Sequence, residues 1–232
     1  MSEIKPIRFG KSKLKLCLLS CVTGDRFSWQ TDVTNPFKEA YSRLWGYDYI
    51  FIEYNGSPLG RHPYWDRIWY IERNLPKYDG IWWLDADAAP VNFVKSVEDF
   101  IDLEHDFYIS PETVSGEVYF NVGSFIVMNS EWGRGLLKKW GSEEVWNEFR
   151  RDGNPEQNAL TTLYRRNWSG AKERIKVLGR NDINSAGVGC GHVWRSGDLV
   201  KHLPCGKRRE DFRKEFWRGL DAGYFGAFGI RM

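Results

Sequence analysis

The sequence predicts an α/β fold, with a mixed central sheet whose N-terminal half is a Rossmann-like βαβαβ unit and with helices on both faces. Three observations predict it. Apolar or aromatic runs recur at residues 14–20, 47–54 and 81–84, each short and bounded by turn residues, as buried strands are. The segments between them carry helical periodicity, and strand–helix alternation builds a parallel sheet. The third run ends in two carboxylates, Asp85 and Asp87, with one alanine between them. That places acids at the carboxyl end of a strand, where open α/β sheets bind ligands.

Taken in order, residues 14–20 form the first strand, and Cys21-Val22-Thr23-Gly24-Asp25 predict a loop after it. Asn35-Pro36 supplies an N-cap and a proline at the first helical position, and Phe37, Tyr41, Leu44 and Trp45 follow at helical spacing until Gly46. Residues 47–54 are the second strand. Pro63 opens a helix with Trp65, Ile68, Trp69 and Leu75 on one broad face, and Pro76 ends it before strand 81–84. Ser96 to Asp99 fits a capping box ahead of Phe100 and Ile101. Residues 107–110 and 124–128 predict strands. Ser130 caps a helix carrying Leu136, Leu137 and Trp140, and Asn154-Pro155 starts another with Ala159, Leu160, Leu163 and Tyr164 inward. Short late strands are expected at 175–178 and 199–202.

At 232 residues the chain is long enough for a substantial core and is expected to form one domain, 1–232. Within it, 12–92 is the nucleotide-binding half with the acidic pair, 93–206 the half that closes the acceptor and metal sites, and 207–232 a basic, aromatic extension. The net charge of +2 lacks the basic field of a dedicated nucleic-acid binder. No apolar run is long enough to span a bilayer and the polar, basic N-terminus has no signal-peptide core, so a soluble, cytoplasmic protein is expected. Cys17, Cys21, Cys190 and Cys205 form no Cys-x-x-Cys pair and read as reduced thiols. Twelve tryptophans serve mainly as core, although such an excess also suits gripping a flat, hydroxylated ligand. A Gly-x-Gly-x-x-Gly after the first strand and a Gly-x-x-x-x-Gly-Lys are both missing, which disfavours dinucleotide oxidoreductases and P-loop enzymes.

Asp-x-Asp at a strand end can give a hard cation two oxygen ligands and leave its other positions to water and phosphates. Aspartates there also cap turns. If a nucleotide binds, a metal at this pair must do the phosphate neutralisation that a glycine loop does elsewhere. Asn121-Val122-Gly123-Ser124 precedes a strand, where a glycine lets backbone approach a ligand or forms a bulge.

Several motifs recur together: Tyr64-Trp65 with Arg67, Trp82-Trp83-Leu84-Asp85-Ala86-Asp87-Ala88, Asn121-Val122-Gly123-Ser124-Phe125 with Asn129 and Trp132, Glu156-Gln157-Asn158-Ala159-Leu160, and His202 with Lys207. In that order the sequence resembles the retaining glycosyltransferases of family 34, which include fungal α-galactosyl- and α-mannosyltransferases and plant xyloglucan xylosyltransferases. The resemblance covers about two thirds of the chain. It implies a GT-A fold, a nucleotide-sugar donor, most simply UDP-linked, a glycan acceptor, and Mn²⁺ or Mg²⁺ held by Asp85, Asp87 and His202. It places Thr23, Arg67, Asp85, Ala86, Gly206 and Lys207 around the donor, and Gln157, Glu156 and Asn121 at the reacting sugar. On residue type alone, Glu156 and Gln157 would only answer a helix dipole, and His192 rivals His202 as the ligand. His62 and His105 read as surface residues.

The chain departs from the family in having Asp66 and Arg67 where another residue and a lysine are usual, in its length, and in lacking the usual membrane anchor. The run KRREDFRKEFWR at 207–218 reads as a solvated helix face that could also make peripheral contact with anionic lipid or an acidic glycan. Two other readings are a haloacid-dehalogenase-like phosphatase, which also uses Asp-x-Asp but normally on its first strand, and a non-catalytic sugar-binding domain of the same fold.

Overall fold

The computed structural model describes residues 13–113, 117–186, 193–204 and 209–231. The N-terminal half runs β1 (Leu16–Thr23), α1 (Asp25–Trp45), β2 (Asp48–Tyr54), α2 (Asp66–Asn74) and β3 (Gly80–Leu84). There follow β4 (Ala88–Pro90), β5 (Phe107–Thr113), β6 (Tyr119–Met128), α3 (Glu131–Trp140), α4 (Glu143–Phe149), α5 (Pro155–Arg165), α6 (Ala171–Arg174), β7 (Ile175–Val177), β8 (Ser185–Ala186), β9 (Val200–His202), α7 (Arg209–Trp217) and α8 (Ala222–Gly226). The main sheet has the order β2-β1-β3-β6-β5-β7, and a small sheet the order β4-β9-β8.

The predicted βαβαβ half is present: β1 pairs in parallel with both β2 and β3. β6 then joins β3 antiparallel, which makes the sheet mixed. β3 and the first half of β1, Leu16 to Leu19, are apolar throughout because both faces are covered. Leu16, Leu18, Trp82 and Leu84 pack with Phe37 and Tyr41 of α1, while Cys17, Leu19, Ile81 and Trp83 pack with Ile68 of α2 and Leu136 and Trp140 of α3. Cys17 and Cys21 are free thiols; Cys190 and Cys205 lie outside the described residues.

Several boundaries differ from the sequence reading. β1 continues through Cys21, Val22 and Thr23, which pair with Ile52, Glu53 and Tyr54. α1 begins at Asp25, after Gly24 at φ 64°, and Pro36 sits inside it. Asn35, read as the N-cap, instead accepts a hydrogen bond from the Tyr49 hydroxyl at 2.8 Å. The earlier turns are held by tertiary contact, with Gln30, Thr31 and Thr34 buried, and such contacts override a proline signal. β6 starts at Tyr119, so Asn121-Val122-Gly123 lies within the strand rather than before it. α4, capped by Ser142, and the short β4 and β8 carry little periodicity and were not foreseen. The Ser96 capping box, the Ser130 cap and the Pro155 start are as expected, although Ser96 caps only a single 3-10 turn.

The C-terminal run is amphipathic. Arg209, Glu210, Asp211, Arg213, Lys214 and Arg218 are exposed, but Phe212, Phe216 and Trp217 of α7 and Phe225 of α8 are buried, and Phe37 of α1 meets Phe216, Trp217 and Phe225 at ring centroid distances of 5.4, 5.2 and 4.9 Å. The interleaved aromatics of this run are therefore core. Among the described residues no helix is long and apolar enough to cross a membrane. Replacing Phe216 by alanine should destabilise the fold by about 3–5 kcal/mol, as aromatic truncation in a packed core does. Denaturant unfolding measures this, and a loss below about 1 kcal/mol would show that α7 is a detachable appendage.

Candidate functional site

Asp85 continues the β3–β6 ladder by one residue, its N–H donating to the Gly123 carbonyl at 2.9 Å. The chain then turns, and β4 pairs antiparallel with β9, setting Ala88 opposite His202. The small sheet thus delivers a late histidine to the acidic pair. His202 Nε2 lies 3.2 Å from Asp87 Oδ1, and one ligand atom from each of Asp85, Asp87 and His202 lies within 4.8 Å of the others. Two carboxylates and one imidazole, converging with exposure on the acidic side, form a donor set suited to Mn²⁺ or Mg²⁺.

Asp85 is held from behind. Its Oδ1 accepts from the Trp83 indole at 2.7 Å and faces Arg67 Nη1 at 3.0 Å. Arg67 is buried, donates to the Val122 carbonyl at 2.8 Å, and reaches Glu156 at 3.6 Å. Burial alone would pull the guanidinium down, but the Asp85 and Glu156 charges outweigh it. Burial pushes Glu156 up to about 7 against the opposing pull of Arg67, and one of its carboxylate oxygens has no hydrogen-bond partner among the described residues. Gln157 accepts the Val122 N–H at 3.2 Å and donates to Glu112 at 3.0 Å.

A cleft of about 570 Å³ opens beside the pair, lined by Thr23, Tyr54, Tyr64, Arg67, Asp85, Ala86 and Asp87 among others. Thr23, Arg67, Asp85 and Ala86 are thus brought to one cavity. Glu156 and Gln157 meet the same network from behind Arg67 and are not among the residues lining the cleft. Asn121 is buried on β6 and bonded to Asn184 at 2.8 Å. Gly206, Lys207 and His192 lie outside the described residues. His62 is exposed at the cleft's edge.

Sequence reasoning passed over Lys38, Glu112 and Asn184. Lys38 is fully buried and donates to Ser20 Oγ and to the Asp85 carbonyl, both at 2.9 Å. Its only signal was a lysine beside the apolar stripe of Phe37 and Tyr41. Asn184 and Glu112 carried none.

Residues 38–158, just over half of the chain, match the family described as "Protein of unknown function, DUF273". The chain belongs to that family. Among curated proteins this DUF273 member is 25% identical over 183 residues to the "Probable alpha-1,6-mannosyltransferase MNN10" of Saccharomyces cerevisiae, a match covering 64% of this chain and 46% of the relative. It is 29% identical over 110 residues to the "Probable xyloglucan 6-xylosyltransferase 5" of Arabidopsis thaliana, covering 43% of this chain and 23% of the relative. The chain spans less than half of either relative's length. Among solved structures it is similar to a glycosyltransferase involved in glycosylation of the major capsid of PBCV-1, with a TM-score of 0.67, 20% identity, and 88% of this chain and 99% of that chain covered. Mouse xyloside xylosyltransferase 1 gives a TM-score of 0.54 at 11% identity, with 82% and 98% covered. The DUF273 chain has the GT-A fold, as the resemblance implied.

Burial pulls the His202 imidazole down, but Asp87 and, behind it, Asp85 outweigh this and raise it above the usual histidine range. In the metal-free protein the imidazolium–Asp87 pair therefore contributes stability that is fully present below the unfolded histidine value and is lost as pH rises through the raised folded value. Coordination needs the neutral ring, so cation binding should expel a proton while the ring is protonated and strengthen as pH rises through the raised histidine value. Calorimetry with Mn²⁺ in buffers of different ionisation enthalpy reads both effects. Affinity independent of pH, with no proton release, would remove His202 from the ligand set.

Proposed function

We propose that this protein is a metal-dependent, retaining glycosyltransferase of the family 34 kind, moving a hexose or pentose from a UDP-linked sugar to a hydroxyl of a glycan acceptor. The observation that carries the reading is the convergence of Asp85, Asp87 and His202 beside a cleft at the carboxyl end of β3. The names of the two curated relatives, a mannosyltransferase and a xylosyltransferase, support the reaction class. In this reading residues 1–232 work as one catalytic unit.

A bound divalent cation supplies Lewis-acid stabilisation of the leaving diphosphate. The protein's part is positioning and charge. Arg67 and Trp83 hold one oxygen of Asp85, which leaves the other oxygen to a cation, and Thr23 and Ala86 lie along the cleft that takes the donor. Lys207 is assigned the added positive charge on the diphosphate as the glycosidic bond breaks, and Gly206 is assigned to the donor site. The acceptor hydroxyl attacks from the face the diphosphate leaves. Gln157 and Glu156 are the proposed partners of the positive charge that develops on the sugar, linked to the metal side through Val122 and Arg67.

A haloacid-dehalogenase-like phosphatase would need Asp85 as a nucleophile. Two donors on Asp85 Oδ1, the Trp83 indole and Arg67, pin the carboxylate in place, which argues for a ligand instead.

Titration with UDP and GDP, each with Mn²⁺ and with chelator, tests the donor. UDP should bind only with metal, and Asp87→Ala should abolish that binding while thermal unfolding stays cooperative. Metal-independent binding, or full binding by the variant, would refute the metal site; no nucleotide binding at all would favour a non-catalytic sugar-binding role. Proton NMR of the transfer or hydrolysis product should show the donor's anomeric configuration at the earliest time points, and an inverted product would refute retention.

A further inference from the structure

The two ring nitrogens of His202 face different partners. Nε2 looks to Asp87, while Nδ1 lies 2.8 Å from Oδ1 of Asn184, itself only 1% exposed. Which end of the Asn184 amide faces the ring is fixed by backbone groups that can play a single role. Asn184 Nδ2 lies 3.2 Å from the Asn121 carbonyl, which can only accept, and 2.8 Å from Asn121 Oδ1. Asn121 Oδ1 in turn takes the Gly123 N–H, which can only donate, at 2.9 Å. The Asn184 nitrogen is therefore committed to Asn121, its oxygen faces the imidazole, and the Nδ1 of His202 carries the proton.

The geometry points to Asn184 as the positioning residue of this site: it holds His202 in the Nδ1–H tautomer, so that the neutral ring offers Nε2 to a divalent cation. The anchor runs through Asn121 to the backbone of β6. Asn121, expected at the reacting sugar, thus acts on the metal side through its Oδ1. Gly123 is part of the same device, because a Cβ there would sit 2.2 Å from His202 Cε1 and push the ring away. Without Asn184 the ring would turn to the other tautomer, since Asp87 accepts an Nε2–H and nothing else among the described residues holds a proton on Nδ1. A ligating histidine fixed in this way through its second nitrogen binds metal more tightly. The consequence for catalysis rests on the metal-dependent reading, but the tautomer does not.

The test begins with the wild-type, metal-free protein. Side-chain ¹⁵N–¹H spectra recorded above the imidazolium's titration, with His202 assigned by subtraction of a His202→Gln spectrum, should show the Nδ1–H form; an Nε2–H form overturns the proposal. Asn184→Ala should convert His202 to Nε2–H and weaken Mn²⁺ binding about 10–100-fold. Asn184→Asp, which keeps an acceptor opposite Nδ1, should retain the Nδ1–H form, a rescue that a merely structural role would not produce. Wild-type tautomer and wild-type Mn²⁺ affinity in Asn184→Ala overturn the proposal, and if that variant does not fold the wild-type spectrum decides alone. An Nδ1–H wild type that binds no Mn²⁺ upholds the tautomer and defeats the metal-dependent reading.

Discussion

The turn from Asp85 to Asp87 is the constraint on which the site depends, and each of its carbonyls is held. The Asp85 carbonyl accepts from Ala88 N–H at 3.1 Å and from Lys38 Nζ at 2.9 Å. The Ala86 carbonyl accepts from Thr34 Oγ1 at 2.6 Å, and the Asp87 carbonyl from Leu203 N–H at 3.1 Å. Helix α1 and the end of β9 therefore grip the same three residues from two sides. Two carboxylates this close repel one another, and free backbone would let them separate; a turn fixed at each carbonyl keeps them aimed at one point, which is what a binding constellation requires.

Charge balance follows the same logic. Arg67 lies behind Asp85 and His202 beside Asp87, and Lys38 is buried beneath the turn. Burial pulls the Lys38 ammonium down to about 7, against the pull of Asp87 and Asp85. The acidic pair is thus stabilised before any cation arrives. The sheet architecture makes this possible: β6, antiparallel to β3, carries the Val122 carbonyl that orients Arg67 and the Gly123 and Asn121 groups that orient the histidine side.

The parts legible in the sequence were those governed by local physics. Ile81 to Leu84 ran apolar because β3 is covered on both faces, and Ser96, Ser130 and Pro155 announced helical starts because caps act within one turn. The start of α1 was misread because Thr34 is tied to Ala86 of the distant acidic turn and Gln30 is buried, tertiary effects that neighbours in sequence do not announce. The carboxylates could be read from their place at a strand end, whereas His202 needed the resemblance. Asn184 and Lys38 were not legible as site residues, since only the pairing of β8 with β9 brings Asn184 to His202, and only the packing of α1 against β1 and the acidic turn gives Lys38 its partners. The solvated face of the aromatic C-terminal run was legible from its charges, whereas its buried face appears only against Phe37.

The central claim is that Asp85, Asp87 and His202 share one cation with a nucleoside diphosphate in the adjoining cleft. Anomalous scattering from a crystal grown with Mn²⁺ and UDP tests it most directly. The account predicts one strong manganese peak within coordination distance of both carboxylates and of His202 Nε2, with the diphosphate on its open side and Nδ1 still on Asn184. A peak elsewhere, or UDP seated in the cleft with no metal between it and Asp85, would contradict it.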